Sequence, residues 1–162
     1  MRNANVLVGA IAGCISTAPM TVTMAGLHSR LPPDQQYPLP PSHITTKIIE
    51  EGVLDTHLPP SAHRSLTLAN HFAYGAACGA LYGLVARKLP FSPPLNGMLF
   101  GLGVWTASYA GWLPLLQVMP SAAQQPAPRN ALMLAAHIVW GVSTGMLTNT
   151  FTPQQAQDER RT

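Results

Sequence analysis

Two histidines sit in matching surroundings. His71-Phe-Ala-Tyr74-Gly75-Ala-Ala-Cys78-Gly79-Ala-Leu81 and His137-Ile-Val-Trp140-Gly141-Val-Ser-Thr144-Gly145-Met-Leu147 share the pattern His-x-x-aromatic-Gly-x-x-x-Gly-x-Leu. Both lie in apolar stretches without a single Asp, Glu, Lys or Arg. A neutral imidazole there has three uses. It ligates a haem iron or a transition metal; it contacts a substrate or relays a proton; or it hydrogen-bonds a carbonyl or threonine across a helix contact. At 3.6 residues per turn, His71, Gly75, Cys78 and Tyr82 share one helical face, as do His137, Gly141, Thr144 and Thr148. Each histidine therefore sits one turn from a glycine groove and is expected to face protein. A site shared by His71 and His137 would hold haem b or a metal, the glycines leaving room for a macrocycle. His28, near the end of the first apolar stretch, is a third candidate for the same layer.

Other chemistry is poorly provided for. No carboxylate lies in any apolar stretch, which weakens proton pumping and most hydrolysis. No nucleophile–base or paired-carboxylate constellation appears, so catalytic residues are not expected. His43, His57 and His63 lack tight metal-ligand spacing and read as surface residues.

The elements that must position the histidines are set by charge. Charged residues make up 9% of the chain, against about 25% in ordinary soluble domains. None occurs between Arg2 and Arg30, Arg64 and Arg87, Lys88 and Arg129, or Arg129 and Asp158. Each gap accommodates the roughly 20 apolar residues of a membrane span, and a soluble helix would need a charged outer face. The chain is thus predicted to be all-α: one polytopic membrane domain over 1–162, a four-transmembrane-helix bundle with helices at about 6–27, 66–85, 95–119 and 130–152. The net charge of +3 does not indicate a nucleic-acid partner, because Arg87, Lys88, Arg160 and Arg161 flank helix ends in the manner of topogenic charges. That distribution favours both termini in the cytoplasm.

The long outer loop, 28–65, opens with Leu31-Pro32-Pro33 and Tyr37-Pro38-Leu39-Pro40-Pro41, which favour polyproline conformation. A short amphipathic helix comes next, with Ser42 as N-cap, Ile44 and Ile48 on one face and Gly52 as its stop. Trp105, Tyr109 and Trp112 line the outer half of the third helix, where interfacial anchoring accounts for Tyr109 and Trp112. Pro19 and Pro114 are expected to kink their helices. Ile11-Ala12-Gly13-Cys14 also resembles a lipoprotein box, an alternative in which Cys14 would be lipidated; the apolar run continuing to Leu27 argues against it.

Glycines complete the pattern. Gly9/Gly13, Gly75/Gly79/Gly83, Gly97/Gly101 and Gly141/Gly145 are spaced by four, and nine of the 13 glycines belong to such sets. Residues four apart share a face and let another backbone approach closely, so tight helix packing is expected, or homodimerisation through one groove. The repeated motif suggests two parallel-repeat hairpins related by an axis near the membrane normal.

Ala136-His137-Ile138-Val139-Trp140-Gly141, after a proline-bearing loop, resembles the last helix of the YagU-type family of uncharacterised bacterial inner-membrane proteins, which carries a Gly/Ala-His-hydrophobic-Val-Trp stretch. The likeness covers about the final third of the chain and does not extend to the family's usual spacing in the first loop. It implies an inner-membrane location and supplies no activity. The expectation is a non-enzymatic accessory, scaffold or transport-related membrane protein whose partners are the bilayer and a partner subunit or second copy. The alternative is a haem- or metal-binding redox protein using His71 and His137.

Overall fold

The computed structural model describes residues 2–51 and 59–152. Gly52, His57, Arg160 and Arg161, to which the sequence assigns roles, lie outside the described residues. Every regular element among those described is helical. Helix α1 spans Arg2–His28, α2 Pro40–Glu50, α3 Pro60–Val85 and α4 Pro93–Ala107. A π-helical turn, Ser108–Trp112, leads into the single turn α5, Leu113–Leu115, and α6 covers Ala127–Phe151. Two helices, α1 over Asn3–His28 and α6, are long and apolar enough to cross a membrane. Helix α1 runs unbroken through Cys14 and Pro19.

Helices α1 and α6 begin a few residues earlier than expected, at Arg2 and Ala127, and three further boundaries differ for a local reason. The third apolar helix does not continue to Met119. Pro114 has no N–H for the carbonyl four residues back, and its ring crowds that carbonyl. The helix accordingly kinks at Gly111, which takes the non-helical φ −114°, ψ −107°, and stops after Leu115. Helix α2 starts at Pro40 with Leu39 as its N-cap, not at Ser42. Proline at the first helical positions surrenders no bond, because those N–H groups have no intrahelical partner. Helix α3 likewise begins six residues before Leu66, on Pro60.

Helix packing follows the glycines. Helix α1 packs on α3, α4 on α6, and α1 on α6. A Cβ placed on Gly9 would strike the Gly79 carbonyl and come within 2.9 Å of the Gly83 Cα; one on Gly97 would strike the Gly141 carbonyl and come within 2.9 Å of the Gly145 Cα. One turn on, Gly13 meets Gly75 and Gly79, while Gly101 meets His137 and Gly141. Number rises along one helix as it falls along the other, so both pairs are antiparallel. The two contacts are equivalent, but not in the register of the repeated motif. Packing equates Gly79 with Gly141 and Gly83 with Gly145, and it puts His137 where the first pair has Gly75. The motif equates His137 with His71. The two alignments differ by four residues, about one helical turn.

Candidate functional site

The α1, α3 and α6 helices and the α4–π segment line a cavity of about 360 Å³, and α2 lies over one side of it with Pro40, Pro41, Ile44 and Ile48. That size falls in the lower range of ligand pockets. His71 and His137 both line it. His28 does not: its Nε2 lies 3.1 Å from the Tyr37 carbonyl oxygen, in the connection before α2. Gly9, Gly13, Gly79 and Gly83 lie in the α1–α3 contact, and Gly97, Gly101, Gly141 and Gly145 in the α4–α6 contact. Gly75 also borders the cavity, beside Thr17.

The hydrogen bonds assign both histidine tautomers. His137 Nδ1 lies 2.7 Å from the Met133 carbonyl oxygen, which can only accept, so Nδ1 carries the proton. Thr21 donates its hydroxyl proton to the Thr17 carbonyl at 2.7 Å, so towards His71 Nδ1, at 3.4 Å, Thr21 Oγ1 acts as acceptor. His71 therefore also carries its proton on Nδ1. Each Nε2 is left as a lone pair, and no protein group among the described residues bonds either one.

Tyr109 is the residue that sequence reasoning misplaced. It is only 2% exposed, stacks on Trp105 with ring centroids 5.6 Å apart, and meets the His137 ring edge-on at 6.2 Å. It lines the cavity rather than a membrane interface, and its hydroxyl is buried with no hydrogen-bond partner. Tyr109 lies one turn beyond Trp105 on the same face of the third helix, before the kink at Gly111. Gly111 and Pro114 were the available signal of that irregularity. Trp112 also lines the cavity, against Tyr74, whose hydroxyl lies 3.1 Å from Ser108 Oγ.

The cover is fastened from below. Arg129, 2% exposed, donates through Nη1 to the carbonyls of Gln35 (2.7 Å) and Tyr37 (3.0 Å) and through Nη2 to that of Pro38 (3.0 Å). Its guanidinium lies 3.5 Å from the centre of the Tyr37 ring. Asn70 of α3 donates to the buried Thr45 Oγ1 of α2 at 3.3 Å. Trp140 ties the inner wall together by donating Nε1–H to the Gly13 carbonyl of α1 at 3.0 Å. Trp140→Phe removes that bond and is expected to destabilise by about 1 kcal/mol, read as a melting temperature a few degrees lower. An unchanged melt would deny the bond its role in joining α1 to α6.

Chemically, the cavity presents aromatic and thioether surface, neutral hydroxyls and two imidazole lone pairs. Among the described residues no charged side chain lines it. Among the described residues no three His, Cys, Asp or Glu side chains converge as a metal site would require.

Such an arrangement defines an all-helical protein with two apolar helices of membrane-crossing length and a covered, uncharged internal site. The chain belongs to the family DUF1440, described as a protein of unknown function, whose sequence pattern it matches over residues 30–146. That stretch holds α2, His71 and His137, the π turn and Arg129. No curated protein and no solved structure matches the chain.

Proposed function

We propose that this is a small multi-pass protein of the bacterial inner membrane, with both ends cytoplasmic and a non-enzymatic, accessory or transport-related role exercised through its internal cavity. The observation that carries the reading is the covered, uncharged cavity at the meeting point of helices whose outer faces are apolar. Leu7, Ile11, Ile15 and Val22 of α1, Leu81 and Leu84 of α3, Leu99 of α4 and Met146 of α6 all face outward. Water is a poor solvent for such a surface and lipid a good one. On this reading α3 and the α4–π segment also cross, making four spans in two hairpins. Arg87 and Lys88 in the α3–α4 turn lie on the cytoplasmic side. The YagU-type stretch at Ala136–Gly141 supports the same location.

Two measurements test this. The protein should stay in the membrane through an alkaline carbonate wash. In a background with Cys14 and Cys78 replaced by Ala, Lys88→Cys should react with an impermeant maleimide only after cells are opened, and Gln124→Cys in intact cells. Extraction into the wash, or the reverse labelling, would defeat the reading.

A second reading keeps the histidine pair as a haem or metal ligand set. One observation favours it: an imidazole whose Nδ1–H is held by a protein acceptor while Nε2 stays unbonded is the arrangement of a metal-bound histidine. A Soret band or stoichiometric metal in purified protein, lost in both His71→Ala and His137→Ala, would establish it. Colourless, metal-free protein would reject it.

A further inference from the structure

We propose that the cavity binds a neutral aromatic hydroxyl compound, of the phenol or quinol class, through Tyr109 and His137. This rests on reading the cavity as a binding site rather than as a metal centre. The argument begins with the unfilled groups. The buried Tyr109 hydroxyl has no partner among the described residues, an arrangement proteins ordinarily avoid because an orphaned buried donor forfeits its hydration without return. The His137 ring lies against the Tyr109 ring, and with Nδ1 bonded to Met133 it offers an Nε2 lone pair. The two rings touch and both residues line the cavity, so one part of its wall holds a donor without an acceptor and an acceptor without a donor.

A hydroxyl group is both at once. Its oxygen accepts from Tyr109 O–H while its own proton goes to His137 Nε2. A ketone or ether supplies only the acceptor and leaves the His137 Nε2 lone pair unfilled. His71, the second Nε2 acceptor on the same cavity, would take a second hydroxyl, as a quinol carries.

The walls select the rest of the molecule. Tyr74, Tyr109, Trp112 and Trp140 give the cavity aromatic faces and edges, which suit a flat ring in offset or edge-on contact. Met20, Met24 and Met133 add thioether surface that adapts to a substituent and contacts aromatic edges favourably. About 360 Å³ accommodates a substituted single ring.

The test is calorimetric titration of nanodisc-held protein, with protein-free nanodiscs as the blank. The probes are 4-propylphenol, its methyl ether 4-propylanisole, and the saturated alcohol 4-propylcyclohexanol. Saturable binding of the phenol is expected, with the ether and the saturated alcohol each weaker by about tenfold or more. Tyr109→Phe and His137→Phe should each weaken the phenol by a similar factor. Tyr109→Phe deletes only the orphaned hydroxyl, so it should melt no lower than the parent, and its loss of binding cannot then be charged to unfolding. Equal affinity for phenol and ether, or full affinity in Tyr109→Phe, overturns the hydroxyl assignment while leaving the cavity a binding site. Equal affinity for the saturated alcohol overturns the aromatic assignment. No saturable binding by any probe overturns this proposal and the binding-site reading together.

Discussion

Gly79→Ala is expected to destabilise the fold by about 3 kcal/mol, whereas Gly103→Ala should be neutral or stabilising. The same methyl group is added at both positions, so the contrast isolates packing. At Gly79 the new Cβ would fall onto the Gly9 carbonyl oxygen and lie 2.7 Å from the Gly13 Cα. Both obstacles are backbone, so no side-chain rotation relieves them and α1 must move off α3 along its length. Overpacking a rigid contact costs about 1–3 kcal/mol and occasionally more. Here the upper end applies, because the displaced helix also carries the Gly13 carbonyl that receives Trp140. At Gly103 nothing lies within 4 Å of the added Cβ, and exchanging an interior helical glycine for alanine favours the helix by about 1 kcal/mol. Helical content and monodispersity in detergent, followed through a thermal melt, give the comparison. If both variants melt like the parent, the close α1–α3 approach is wrong.

That contrast also shows where sequence reading stops. The spacing of four within each glycine set was legible, because it follows from the helical repeat alone. The register between sets was not. Matching His71 to His137 used four identities and an aromatic class, but helices dock by the shape of their grooves. Packing equates Gly79 with Gly141, and the repeated motif points one turn away. The location of the apolar helices was legible to within a few residues at most ends, since absence of charge is a property of composition. The end of the third helix was not, because the kink at Gly111 ahead of Pro114 leaves the hydrophobic pattern intact. Tyr109 read as an interfacial anchor and lies instead beside His137. The histidines read as protein-facing, and both border one cavity. The cavity itself was invisible beforehand because of its cover: nothing in Pro40-Pro41-x-x-Ile44 announces which helices it lies over.

Arg129 is the other residue whose sequence meaning was too general, and its replacement is the second large effect expected. By position it reads as one more charge outside the bundle. In the structure it is buried and holds the connection between α1 and α2 by three backbone carbonyls and the face of Tyr37. Hydrogen bonds to a charged donor contribute about 1.5–3 kcal/mol each, less when they share one donor group. A stacked, partly desolvated guanidinium adds about 1 kcal/mol. Arg129→Ala leaves the three carbonyls without that donor and is expected to destabilise by about 3 kcal/mol or more. Arg129→Lys should recover little, since an ammonium cannot span the Gln35, Tyr37 and Pro38 carbonyls as the planar fork does. The local consequence is more specific than the melt. Arg30 is exposed but Leu31 after it is buried, so trypsin reaches that bond only when the connection lifts away. Cleavage after Arg30 should accelerate in Arg129→Ala well below its melting temperature. Because α2 hangs from the same connection and covers the cavity, the variant should also release a bound phenol faster than the parent. A variant that melts lower without faster cleavage at Arg30 would make Arg129 a core residue of α6 and no fastening for the cover.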